Sequence, residues 1–214
     1  MKNTGQPFLF LYVITGLLII TFLAIFLDSA AGERLSREGN LIENLTAILY
    51  FSGIVYLLLI ASGDWKFRYH SAFVILLFVL RELDMHSRLT SIRINNFNYY
   101  IEPTTPLVER VAVGAVLLIC VYVLIRYVMN YGRHLGFGLR SRYGYSLTTA
   151  AALLVMLIAK LLDSAPRILH ENFAIILSSE VKTPMRVIEE ILELGIPLFI
   201  LLACLQYWTF TRGR

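Results

Sequence analysis

Apolar residues fall in six long blocks along this chain, at about 7–27, 41–61, 70–90, 106–127, 146–163 and 184–208. Charged and polar residues gather between the blocks and at their ends. A helix needs about 20 apolar residues to cross a bilayer core of roughly 30 Å, and each block comes close to that length. The pattern predicts an all-α fold, a polytopic transmembrane six-helix bundle. The blocks leave little room for anything else, so the expectation is a single integral membrane domain over 1–214. The chain shows no internal repeat, no low-complexity tract and no Gly-rich phosphate loop.

Composition agrees with the pattern. Of 214 residues, 57% are hydrophobic, and the mean hydropathy of +0.68 lies above that of ordinary soluble domains. Behind the first block, Asp28-Ser-Ala-Ala-Gly resembles a signal-peptide cleavage site. That block runs for about 21 residues, longer than the 7–15 of a signal core, so it is expected to be the first span. Cys120 and Cys204 both fall inside apolar blocks, which predicts two buried thiols rather than a disulfide or a thiolate metal site.

Six spans place both termini on one side, here side A. Side A and the opposite side B receive nine bases each, and Lys160 lies within the fifth block. Side B has the longer loops, and many of its bases have acids nearby. The positive-inside rule therefore favours side A as cytoplasmic, in a bacterial-type inner (plasma) membrane. Trp65, Tyr69, Tyr127, Tyr131, Tyr143, Tyr145, Tyr207 and Trp208 form an aromatic belt there. The acids are far less evenly shared: fourteen of the fifteen go to side B and only Asp64 to side A.

Several side B acids lie inside the spans. The third block has an uninterrupted apolar run only over 72–80, nine residues, too short to cross the core alone. Its helix must continue through Arg81, Glu82, Asp84 and His86, which puts those charges within the outer half of the bilayer, where a charge marks a functional site by default. Glu82 and His86, four apart, share one face; Arg81, Asp84 and Arg88 share another and suit a salt-bridge ladder. A carboxylate near a helix C-terminus opposes the macrodipole, so Glu82 requires a partner: a metal, a proton, or a base from another helix.

The sixth block opens on Thr183-Pro184, read as an N-cap followed by proline at the first helical position. Glu189 and Glu193 follow on one face, and Arg186 can pair with Glu190. Glu193 lies deepest, just before Gly195-Ile-Pro197, where a kink is expected to open space. Glu43 and Asn44 begin the second block; Asn44-Leu-Thr46 matches a glycosylation sequon, but inside a span its use is not expected. The fifth block ends Lys160-Leu-Leu-Asp163, which predicts a local pair. The stretch 168–177, with His170 and Glu171, suggests a short interfacial helix, and 95–100, polar and aromatic, a lid. His70 and His134 fall on side A, which leaves His86 and His170 as the available imidazoles.

The candidate metal ligands are thus Glu82, His86, Glu189, Asp163 and His170, with Glu193 and Glu43 as further ligands or a general base. Carboxylates with one or two imidazoles suit a divalent metal: zinc, iron or manganese. Di-iron bundles use Glu-x-x-His; this chain has Glu-x-x-x-His and Glu-x-x-x-Glu, which share a face without matching that motif. Glu43-Asn-Leu-Thr-Ala, Arg81-Glu82-Leu-Asp84 and Glu189-Glu190 resemble motifs of uncharacterised bacterial inner-membrane proteins. That resemblance implies a six- or seven-helix fold and a shared polar site, and no activity. Membrane hydrolases of the ceramidase type use three-histidine zinc sites, which side B has too few histidines to build.

Three function classes follow. The first is a metal-dependent membrane enzyme or metal-binding protein, in which bound metal polarises a substrate or generates hydroxide. The second is proton- or cation-coupled transport, against which the side A halves are almost wholly apolar. The third is a structural subunit of a membrane complex. The expected partners are the bilayer and a lipid or membrane protein, with no nucleic acid.

Overall fold

The fold comes from a computed structural model that describes residues 8–26, 41–60, 64–83 and 107–212. Among the described residues the regular elements are helical, with no strand. They are α1 (Phe10–Phe26), α2 (Leu41–Val55), which continues as a π-helical turn (Tyr56–Ile60), α3 (Trp65–Glu82), α4 (Leu107–Arg140), α5 (Gly144–Phe173) and α6 (Ser179–Arg212). Three stretches are long and apolar enough to cross a membrane: Ile42–Leu59, Arg110–Arg140 and Gly144–Phe173. In α1, Phe10–Ala24 is a shorter apolar helix. The other two helices, α3 and α6, mix apolar turns with charged ones.

Helix ends differ from the sequence expectation in three places. The expected loop after 127 is helical to Arg140, because its glycines are isolated and no proline breaks it. The α4–α5 turn is then only Ser141–Tyr143, with Arg142 in the left-handed region at φ 54°. Similarly, α5 runs past Asp163 and through Pro166 to Phe173, absorbing half of the expected interfacial helix. Its end is set by Ala174 at φ 53°, whose N–H donates to the His170 carbonyl while Ile175 N–H donates to Leu169. Finally, α6 starts at Ser179 rather than at Thr183, so Pro184 sits in its second turn, where it forfeits the bond to the Glu180 carbonyl. Its helix is continuous through Pro197.

The helix at the centre is α6: α1, α2 and α5 all pack against it. Val187, Ile191, Ile196 and Phe199 of α6 are buried, meeting Leu17 of α1, Tyr50 and Leu57 of α2, and Val155 of α5. Close approach is set by glycine at two points. A Cβ on Gly195 would lie 2.6 Å from Leu17 Cδ1, and one on Gly138 only 1.9 Å from Ser146 Oγ, so the α4–α5 hairpin closes to a spacing that only glycine permits. Inside the α5–α6 interface Thr148 Oγ1 donates to Gln206 Oε1 at 2.7 Å, both residues buried.

The side A end is tied together by rings and caps. Tyr143 stacks with Tyr145, both pack on Phe210, and Phe67 bridges Tyr131 and Tyr207. The aromatic residues placed at one interface by sequence thus do meet there. Asp64, the acid on this side, is the N-cap of α3: its Oδ1 accepts from Lys66 N–H at 3.0 Å. Arg68 reaches back to the π-turn of α2, donating through Nε to the Leu57 carbonyl at 2.7 Å and through Nη2 to that of Leu58.

Three substitutions test these closures. Gly138→Ala is expected to lower stability by about 1–3 kcal/mol through overpacking. Gly114→Ala, which meets nothing within 4 Å, is expected to stay within about 0.5 kcal/mol. Ala174→Gly is expected to raise stability by about 1 kcal/mol, since glycine adopts the left-handed cap without a Cβ clash. Unfolding in mixed micelles, followed by circular dichroism, measures all three.

Candidate functional site

The charges that the sequence places inside helices do converge. Arg81, at the last turn of α3, makes an ion pair with Glu193 of α6 across 112 positions of sequence. Glu193 also lies in the electrostatic field of Asp163 and Lys160 of α5. Those two pair with each other at i, i+3, and Arg186 pairs with Glu190 at 3.7 Å, the two local pairs expected. Glu190 in turn feels Glu43 of α2. Glu82 lies beside Arg81 and Tyr50. Four helices thus bring six carboxylates (Glu43, Glu82, Asp163, Glu189, Glu190, Glu193) to one end of the bundle with three bases (Arg81, Lys160, Arg186).

Glu189 is the distinctive member. Its charged neighbours are Asp163, Glu193, Glu190 and Arg186, three acids and one base. That base is the partner of Glu190. Among the described residues Glu189 takes part in no ion pair. Of the predicted site residues, therefore, Glu43, Glu82, Asp163, Glu189 and Glu193 are brought together. His170 is not: it sits in the last turn of α5, exposed, two turns beyond Asp163. His86 lies outside the described residues, as do Asp84, Arg88 and the expected lid at 95–100. His70 approaches Tyr131 at 3.2 Å at the other end of the bundle, where His134 is exposed. Among the described residues no group of three or more His, Cys, Asp or Glu side chains could hold a metal ion directly. Cys120 and Cys204 are free thiols.

Sequence reasoning missed the floor of this cluster. Tyr50 is 1% exposed, stacks on Phe78 at 5.7 Å, and lies within the field of Glu82, Arg81 and Glu193. Thr46 is equally buried, and its Oγ1 has no hydrogen-bond partner among the described residues. Thr15, Thr21, Ser52 and Thr149 each donate to the carbonyl four residues back, the usual outlet for a hydroxyl inside a helix; Thr46 does not. The signal was present in the spacing: Glu43, Thr46 and Tyr50, three and four apart, occupy one face of an otherwise apolar helix.

Comparison with known proteins finds no family model that matches this chain, and no similar curated protein or solved structure.

The Arg81–Glu193 pair is half-buried, with side-chain exposures of 46% and 23%. Its worth should lie between that of a surface pair and that of a fully buried one, so Arg81→Leu is expected to cost about 2 kcal/mol by leaving Glu193 without its partner. Arg81→Leu with Glu193→Leu is expected to recover most of the loss, as a positive coupling in a double-mutant cycle of unfolding free energies. Strict additivity of the two single losses would count against the pairing.

Proposed function

We propose that this chain is a six-pass membrane protein with both termini in the cytoplasm, and that its outward acid cluster binds a hard divalent cation. One observation carries the reading: Glu189 lies in the field of Asp163, Glu190 and Glu193, and Arg186, the base acting on it, is engaged with Glu190. A cation brought beside Glu189 relieves that repulsion.

The donor chemistry narrows the ion. The clustered groups offer oxygen atoms and no described imidazole, which suits magnesium, calcium or manganese rather than zinc. Magnesium-like ions keep much of their water and bind through one or two carboxylates, so no ready-made cage of three protein ligands is required. Glu189 is the proposed ligand, with Asp163 and Glu190 as flanking charges. The role proposed for Glu193 is positional, because its carboxylate is already engaged by Arg81. Thr46 supports a polar, ligand-accepting interior, since a buried hydroxyl without a partner costs about 1–3 kcal/mol unless something satisfies it.

A binding role is better supported than transport. Below Glu193, α6 buries Ile196, Pro197, Phe199 and Ala203 before the next buried polar group, Gln206. That apolar plug separates the acid cluster from the side A end.

Manganese titration of the protein in nanodiscs, read by electron paramagnetic resonance, tests the proposal. Saturable binding is expected, weakened at least about tenfold, or about 1.4 kcal/mol, by Glu189→Gln. Asp64→Asn, at the opposite end and still able to cap α3, is expected to bind as wild type does. Equal affinity in Glu189→Gln and wild type would sink the assignment.

A further inference from the structure

Acids are absent from residues 110–162, a stretch that nonetheless contains Arg126, Arg133, Arg140 and Arg142. Arg126, Arg133 and Arg140 are spaced by seven, two helical turns or about 10 Å, and so share a stripe along α4. All four arginines are exposed, and Phe137 on the same stripe is 64% exposed.

The contacts of α4 fix the depth of these groups. Tyr127 meets Ser71 at 3.0 Å, Tyr131 meets His70 and Phe67, and Gly138 abuts Ser146 at the start of α5. Phe67 lies one turn from Trp65, and Ser146 is next to Tyr145. The aromatic belt is therefore level with residues from about 131 to 143 of the α4–α5 hairpin. On the six-pass membrane reading proposed above, on which this inference rests, Arg133, Phe137, Arg140 and Arg142 lie at the lipid headgroups, the height at which Trp and Tyr rings settle.

Nothing described at this end neutralises them. Asp64 is the acid here, and its carboxylate caps α3. Arg68 is turned inward onto the Leu57 and Leu58 carbonyls. Lys66 adds another cation, with its Nζ 5.9 Å from the centre of the Trp65 ring. Arginine forks match phosphate oxygens in pairs, and an exposed phenylalanine among them suits the acyl boundary just beneath.

We propose that the α4–α5 hairpin, through Arg133, Arg140 and Arg142, is a docking surface for anionic phospholipid headgroups. The inference is independent of the cation site at the other end of the bundle. It makes the hairpin a selector of boundary lipid rather than a passive turn.

Both tryptophans of the chain, Trp65 and Trp208, belong to this end and serve as reporters. The protein is reconstituted in phosphatidylcholine vesicles carrying either brominated phosphatidylglycerol or brominated phosphatidylcholine, and tryptophan quenching gives relative lipid affinities. Wild type is expected to prefer phosphatidylglycerol. Replacing Arg133, Arg140 and Arg142 together by Gln is expected to reduce that preference at least about fivefold. Arg167→Gln, on α5 at the opposite end, is expected to leave it intact. If the triple variant does not fold, wild type at about 1 M salt, where the Debye length is about 3 Å, is expected to lose the preference. Equal quenching by the two lipids in wild type overturns the proposal, as does a preference that survives the triple substitution or high salt.

Discussion

One helix sets the constraint on everything else: α6 is the central helix from Val187 onward, yet its first half carries Glu180, Arg186, Glu189, Glu190 and Glu193. In a low-dielectric setting charges of that kind stay only if the surroundings answer them. Arg81 answers Glu193, Arg186 answers Glu190, and Lys160 holds Asp163 nearby. The packing of α2 and α5 on α6, and the reach of Arg81 from α3, answer this need as much as they bury apolar area. On the inner half, where Ile196 and Phe199 are buried, the same helices meet by ordinary side-chain packing and one Thr148–Gln206 hydrogen bond.

The bundle is consequently polarised. Acid concentrates at one end, with its partial neutralisation built in by bases from three helices. Base concentrates at the other, where Lys66 lies over the Trp65 ring and Arg68 on backbone carbonyls. The two ends are separated by the apolar layer around Phe199.

Much of this was readable from residue order. Apolar block lengths predict the helices, and the intrahelical charges at 81–82, 160–163 and 186–193 are the ones that converge. Local pairs such as Arg186 with Glu190 follow from spacing alone. The Arg81–Glu193 pair does not, because it joins residues far apart in sequence, and α3 could equally have satisfied Arg81 with Asp84. Helix ends were misread where propensity is weak evidence: Arg133 to Arg140 reads as a basic loop but has no residue that stops a helix, and Pro184 reads as a start but is tolerated one turn further in. The spacing of Glu43, Thr46 and Tyr50 shows a shared helix face, but the burial of Thr46 is a tertiary fact.

The clamp of Arg68 on the π-turn bears on how the molecule can move. By donating to the Leu57 and Leu58 carbonyls, Arg68 rivets the inner end of α2 to the first turn of α3. Glu43 and Tyr50 lie on one of these helices, Arg81 and Glu82 on the other. Helices hinged at a common inner fulcrum cannot slide past each other; they can only splay. The ends of the two helices away from that clamp, tipped by acid and base, are thus the ones that can part in a pincer opening.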